Sequence, residues 1–90
     1  MKQIDNKISK VLILGAGGML GHKLCQGLPK LGYSVTGTLR KEKSYYEHYK
    51  YIFGMADIID ELEITDNTNL NKIVEKVQPD AIINCIGIIK

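Results

Sequence analysis

The 90-residue sequence lacks tryptophan, has only two prolines and one phenylalanine, and carries a formal net charge of just +2. So small a charge argues against a nucleic-acid or membrane surface as partner, even though residues 43–51 are rich in tyrosine and lysine. No apolar run is long enough to cross a membrane, and residues 1–10 contain no signal-peptide core. We therefore expect a cytoplasmic protein with a flexible lead-in over residues 1–9 and one small folded domain over residues 10–90.

Metal-ligand spacings and paired cysteine motifs are also missing. Cys25 and Cys85 belong to no CxxC pattern, so we expect both to be reduced packing residues. His22 and His48 have no histidine or cysteine partner at a ligand spacing, and we predict no metal site.

The hydrophobic pattern alternates between strands and helices. Strands are predicted over residues 10–14, 33–39, 60–64 and 80–89, while residues 51–59 fit a strand or a loop equally well. Helices are predicted over residues 19–28 and in the segment before Pro79, and residues 40–50 fit a short helix. The apolar helix positions are Leu20, Leu24, Leu28, Leu70, Ile73, Val74 and Val77. This alternation predicts an α/β fold with a parallel sheet and helices on both faces.

A glycine turn follows the first predicted strand. Gly15, Gly18 and Gly21 form GxxGxxG, whereas the standard GxGxxG spacing would need a glycine at Leu20. Glycines let the backbone approach a diphosphate, and the N-terminus of the next helix supplies free N–H groups and a positive dipole end. The strand–turn–helix order predicts a dinucleotide site, and the alternative is a tight turn without a ligand.

The end of the second predicted strand distinguishes between two dinucleotides. Thr38 is followed closely by Arg40 and Lys41, and no carboxylate appears before Glu42. An acidic residue at this place binds the ribose 2′-hydroxyl of NAD, whereas an arginine accepts the 2′-phosphate of NADP. We therefore predict NADP(H) in preference to NAD(H), unless the basic pair is simply a solvated edge.

Residues 15–24, GAGGMLGHKL, together with residues 79–87, PDAIINCIG, resemble the extended short-chain dehydrogenase/reductase superfamily. Within it, the dTDP-4-dehydrorhamnose reductase-like group is most similar. The resemblance spans residues 10–90. It implies the N-terminal half of a Rossmann-type parallel sheet with strand order 3-2-1-4.

The resemblance also implies roles for individual residues. The amides of Met19 and Leu20 would contact the pyrophosphate, Glu63 and Ile64 would bracket the adenine, and residues 85–87 would line the ribose and nicotinamide side. With the residues that the turn and second strand indicate, the candidate cofactor-binding residues are Gly15, Gly18, Met19, Leu20, Gly21, Thr38, Arg40, Glu63, Ile64, Cys85, Ile86 and Gly87.

No catalytic residue is predicted within the chain. Tyr46 and Lys50 spell YxxxK, the catalytic signature of the superfamily, but there the motif follows the fifth strand, so we interpret this occurrence as chance. The catalytic serine or threonine, tyrosine and lysine would then lie beyond Lys90, and the ninety residues alone are expected to be inactive. The fourth strand would be left as an exposed edge, which predicts self-association.

By resemblance, the parent protein is predicted to be an NADP-dependent reductase that transfers hydride to the keto carbon of a nucleotide-linked deoxysugar. Two alternatives remain open: a sugar-nucleotide epimerase or dehydratase of the same superfamily, and a non-catalytic dinucleotide-binding module. A methyltransferase is a more distant possibility, because it would need a carboxylate at the end of the second strand.

Overall fold

A computed structural model describes residues 8–46, 53–64 and 67–86. Two helices, α1 (Met19–Gly27) and α2 (Asn67–Val77), accompany four strands in this part of the chain. The strands are β1 (Lys10–Leu14), β2 (Ser34–Thr38), β3 (Asp57–Ile59) and β4 (Ala81–Asn84). Short 3-10 helices cover Pro29–Leu31 and Lys43–Tyr45.

The four strands form one parallel sheet in the order β3-β2-β1-β4, which confirms the predicted order. Leu12 of β1 lies between Thr36 of β2 and Ile82 of β4. β1 is therefore paired on both sides, and its four residues from Val11 to Leu14 are buried. A strand covered on both faces needs a continuous aliphatic run, and this is the run that the sequence provides.

Each face of the sheet is covered by one of the helices. Val11 and Ile13 pack with Cys25 of α1 and with Phe53, while Leu12 and Leu14 pack with Ile73 of α2 on the opposite face. Alternate residues of β1 point to opposite sides because the side chains of a strand have a period of two. The apolar residues predicted for α2 all belong to this second core, so helices on both faces are confirmed.

The prediction for the third strand was wrong. The strand is Asp57–Ile59, inside the segment 51–59 that fits a strand or a loop, and residues 60–64 form a loop instead. Glu61 adopts a left-handed backbone with φ of 55°, and its amide donates to the Lys41 carbonyl at 3.3 Å. Leu62 donates to the carbonyl of Leu39 at 2.9 Å. The loop therefore turns across the end of β2, and its apolar side chains pack on the core without belonging to a strand.

Other boundaries differ by a few residues. α1 ends at Gly27, and a 3-10 helix then leads to Gly32, which ends the segment in a left-handed conformation with φ of 99°. The strand predicted over residues 80–89 is shorter, since Cys85 and Ile86 follow β4 without belonging to it. The proposed helix of residues 40–50 is one 3-10 turn in its described part, and residues 47–50 and 87–89 lie outside the described residues.

Asp80 connects the amino ends of the two neighbouring strands β1 and β4. Its carboxylate accepts hydrogen bonds from the amides of Ser9 and Lys10, both at 2.9 Å, and from the Ser9 hydroxyl. These bonds lower the pKa of the exposed Asp80 carboxyl, with the Ser9 amide as the largest cause.

Across the described ranges, no helix combines the length and the apolar character needed to cross a bilayer.

Candidate cofactor-binding cleft

The glycine turn is held against the end of β2. Gly15 has a φ of 81°, its amide donates to Thr38 Oγ1 at 3.2 Å, and the amide of Ala16 donates to the Thr38 carbonyl at 2.8 Å. Thr38 is almost fully buried, at 1% exposure. A buried hydroxyl needs a partner, and here it fixes the distance between the turn and the second strand.

Gly18 and Gly21 serve different purposes. A Cβ atom on Gly18 would have no neighbour closer than 3.9 Å, so the space above this residue is open. A Cβ on the buried Gly21 would collide with the carbonyl oxygen of Gly15 and lie 2.9 Å from Cα of Ala16. Gly21 therefore allows α1 to pack closely against the turn, which is the role of the last glycine in such a motif.

α1 begins at Met19 without a side-chain cap. The amides of Met19 and Leu20 belong to its first turn, where helical N–H groups have no partner within the helix. Their side chains are exposed, at 77% and 62%. This end of α1 therefore presents backbone donors and a positive dipole end beside the open space at Gly18.

The loop after β3 forms the wall opposite the turn. Leu39 donates to the carbonyl of Ile59 at 2.9 Å and extends the pairing between β2 and β3 beyond the strands. Asn69 of α2 donates through Nδ2 to the carbonyl of Glu63 at 2.6 Å. These bonds place the backbone of residues 62–64 beside the end of β2.

The segment after β4 closes the third side. The amide of Cys85 donates to the carbonyl of Leu14 at 2.8 Å, and the amide of Ile86 turns back to Asn84 Oδ1 at 3.0 Å. Ile86 then lies directly on the turn, because a Cβ on Gly15 would come within 2.9 Å of Ile86 Cγ1.

The two cysteines are protonated packing groups. Burial raises the pKa of the Cys25 thiol to about 11, with a smaller contribution from nearby Cys85, and burial also raises the pKa of Cys85. Neither thiol forms a disulfide, and both are free. A thiol with a raised pKa is a weak nucleophile at neutral pH. The described residues contain no cluster of histidine, cysteine or carboxylate groups able to hold a metal ion.

These segments enclose a cleft of about 380 Å³ at the carboxyl edge of the sheet. Eight of the predicted binding residues line it: Gly15, Gly18, Thr38, Arg40, Glu63, Ile64, Cys85 and Ile86. Met19 and Leu20 lie beside it at the start of α1, Gly21 packs beneath the turn, and Gly87 lies outside the described residues.

Four residues that the sequence does not indicate also line the cleft: Gly17, Leu39, Tyr46 and Leu62. Leu39 and Leu62 are ordinary hydrophobic residues, and only the loop that crosses β2 identifies them as part of this wall. Tyr46 belongs to the YxxxK sequence that we attribute to chance, and its hydroxyl lies over Gly17. No local pattern in the sequence indicates this long-range contact.

The residues of the cleft suit a phosphate-bearing nucleotide ligand. The cleft volume is in the range of roughly 300–1,000 Å³ that is usual for ligand sites, and the cleft has an open glycine backbone at one end and apolar walls for a ring. Arg40 is a cationic group suited to a phosphate, and Thr38 and Tyr46 add hydroxyl groups. It lies where open α/β sheets bind ligands, at the switch point outside the carboxyl ends of the strands.

The parallel sheet, its strand order and the glycine turn define a Rossmann-type α/β domain. Residues 11–90 match the NAD dependent epimerase/dehydratase family, and the chain belongs to this family. The family lies within the extended short-chain dehydrogenase/reductase superfamily and binds nicotinamide dinucleotides, so the predicted superfamily is confirmed. No curated protein matches the chain at a significant level.

Proposed function

We propose that this chain is the NADP(H)-binding part of a reductase that acts on a nucleotide-linked keto-deoxysugar. The observation that carries the cofactor assignment is the position of Arg40, which lines the cleft two residues beyond the strand end that holds the glycine turn. The sugar-nucleotide substrate rests on the resemblance to the dTDP-4-dehydrorhamnose reductase-like group.

Arg40 is the better of two neighbouring cations for a 2′-phosphate. The Nζ atom of Lys41 lies 4.2 Å from the centre of the Tyr45 ring, and Lys41 does not line the cleft. A guanidinium offers a planar fork of donors that matches the oxygens of a phosphate, and it stays charged at every physiological pH. The chain therefore presents its phosphate-matching group on the cleft side of this basic pair.

Different parts of the cleft would bind different groups of the cofactor. The turn and the start of α1 would hold the diphosphate, Arg40 the 2′-phosphate, and the apolar wall with Ile64 the adenine. When bound, the nicotinamide supplies or accepts hydride. Among the described residues lining the cleft, Tyr46 is the only tyrosine and there is no lysine. We accordingly expect the ninety residues to bind the cofactor without turning over a sugar substrate.

The test compares Arg40→Ala with the matched control Lys41→Ala in the same basic pair. Dissociation constants for NADPH and NADH are measured by titration, following the fluorescence of the reduced nicotinamide. Loss of a hydrogen-bonded charge costs about 1.5–3 kcal/mol, and exposure to solvent favours the lower figure, so we expect NADPH binding to weaken about tenfold in Arg40→Ala. NADH binding, and both affinities of Lys41→Ala, are expected to change little.

Equal affinity of wild-type protein for the two cofactors, unchanged in Arg40→Ala, would refute the NADP assignment. Absence of binding by either cofactor at millimolar concentration would refute the dinucleotide site itself.

The second candidate is a sugar-nucleotide epimerase or dehydratase, which the name of the matching family favours. Enzymes of this kind more often have an acidic residue after the second strand and retain NAD tightly. The same titration therefore separates the candidates, since a clear preference for NADH would favour the epimerase or dehydratase.

We also propose that copies of this chain associate through β4. Within the described part of the sheet, this strand pairs with β1 on one side only; Ile82 in the strand and Ile86 just after it are 46% and 44% exposed. An open strand edge offers backbone donors and acceptors to a second strand.

A further inference from the structure

We infer that Tyr46 binds the dinucleotide directly, by donating a hydrogen bond from its hydroxyl to a phosphate oxygen. The inference deepens the proposed function, because it depends on a dinucleotide occupying the cleft. It concerns a residue outside the glycine motif and outside the strand ends, which the sequence did not indicate.

The position of the hydroxyl is the first argument. A Cβ on Gly17 would lie 2.6 Å from the Tyr46 hydroxyl oxygen and 3.0 Å from Cζ. The hydroxyl therefore occupies the space that a side chain at Gly17 would fill, directly over the turn. Gly17 itself is exposed, so this contact lies at the cleft surface.

The orientation of the ring is the second argument. Tyr46 makes edge-to-face contacts with Tyr45, at 5.4 Å between ring centres, and with Phe53, at 5.9 Å. Phe53 is 1% exposed and belongs to the core beneath α1. Two aromatic neighbours, one of them anchored in the core, hold the ring in place before any ligand arrives, which lowers the entropy lost on binding.

The chemistry of the surroundings is the third argument. The turn is bonded to Thr38, Arg40 lies two residues beyond Thr38, and Tyr46 and Arg40 line the same cleft. None of the described residues forms a hydrogen bond with the Tyr46 hydroxyl, whereas a half-buried phenol normally has a partner. A phosphate oxygen of a ligand in this cleft is the acceptor that suits it.

The phosphate has two possible sources in the same ligand, the diphosphate over the turn and the 2′-phosphate beside Arg40. NADPH and NADH differ only in the second of these groups. Titration of both cofactors therefore separates the two sources without changing the rest of the ligand.

The experiment uses Tyr46→Phe, which removes the hydroxyl and keeps the ring contacts. Tyr45→Phe is the matched control, because Tyr45 is the adjacent tyrosine, is 65% exposed and does not line the cleft. One hydrogen bond to a charged group corresponds to roughly 10- to 100-fold in affinity, and we expect NADPH to bind more weakly by such a factor to Tyr46→Phe. The control is expected to bind as the wild type does, and thermal unfolding followed by circular dichroism verifies that both variants fold.

A loss for both cofactors assigns the bond to the diphosphate, and a loss for NADPH alone assigns it to the 2′-phosphate; both outcomes support the inference. Unchanged affinities in Tyr46→Phe overturn it, even if the wild type binds NADPH well. Failure of the wild type to bind either cofactor overturns the proposed function and this inference together.

A second variant tests the same hydroxyl from the opposite side. In Gly17→Ala the new methyl group displaces the hydroxyl, which is the far end of a side chain and is able to move. Because both changes disturb the same bond, we expect the double variant Gly17→Ala/Tyr46→Phe to bind NADPH no more weakly than the weaker single variant. If Gly17→Ala weakens NADPH binding by the same factor with Tyr46→Phe as with the wild type, the methyl group does not act through the hydroxyl, and this result counts against the geometric argument at Gly17.

Discussion

Gly21→Ala is expected to destabilise the fold, although alanine is normally preferred in a helix. Gly21 is buried in α1, and a Cβ there meets the carbonyl oxygen of Gly15 and the Cα of Ala16. Both are backbone atoms of the turn, which cannot rotate away as a side chain does. Relief of the collision requires α1 to move off the turn and off the core that it covers.

The expected loss of stability in Gly21→Ala is the difference between two opposing effects. Forcing extra atoms into a packed interior costs about 1–3 kcal/mol, and contact with fixed backbone favours the upper figure. Alanine offsets this by about 1 kcal/mol through its higher helix propensity. The free energy of unfolding is therefore expected to fall by about 2 kcal/mol. For a domain of this size, such a loss lowers Tm by roughly 8–16 °C.

Gly27→Ala is the matched control in the same helix. Gly27 is the last residue of α1, and a Cβ on it would have no neighbour within 4 Å. At this position only the higher helix propensity of alanine acts, so we expect the free energy of unfolding to rise by about 0.5–1 kcal/mol. Thermal and urea unfolding followed by circular dichroism measure both variants. If Gly21→Ala is as stable as Gly27→Ala, the close approach of α1 to the turn does not require a glycine at position 21.

Two further outcomes are expected. Hydrogen bonds lower the pKa of Asp80 below its ordinary value of 3.8, so its contribution to folding is present above that value and is lost as pH falls through the lower folded pKa. The stability difference between wild type and Asp80→Ala should then shrink in acid, and a difference that is constant across this range contradicts the assignment. Light scattering at high protein concentration should show that the wild type associates. The variant Ile82→Lys should associate less, because a charge on an edge strand opposes pairing with a second strand. A monomeric wild type would contradict association through β4.

Much of the fold could be predicted because its patterns are local. The aliphatic run before Gly15 gave the correct bounds of β1, and the spacing of Leu70, Ile73, Val74 and Val77 located α2. Residues 60–64 were misassigned because alternating apolar side chains also suit a loop that lies on a core. Only the hydrogen bonds from Glu61 and Leu62 to the far end of β2 distinguish the two structures, and those partners are distant in sequence.

The cleft was predictable to the extent that it is built from strand ends. Thr38 and Arg40 lie at the end of the second predicted strand, Cys85 and Ile86 lie in the second half of the fourth, and parallel strands bring their carboxyl ends to one edge. Tyr46 could not be found in this way. It reaches the turn through aromatic packing on Phe53, and such a contact leaves no periodic trace in the sequence.

The central position of β1 has a consequence for how the protein forms during synthesis. β1 emerges first, yet its second neighbour, β4, begins only at Ala81, and Asp80 fastens the two strands at that same late point. Until then one edge of an aliphatic strand has no partner, and such an edge invites misassembly of nascent chains. The third side of the cleft, formed by Cys85 and Ile86, arrives later still. A ribosome-bound chain that has not yet released this segment would have the glycine turn but an unfinished cleft, so cofactor capture should begin only after Cys85 and Ile86 have joined the sheet edge.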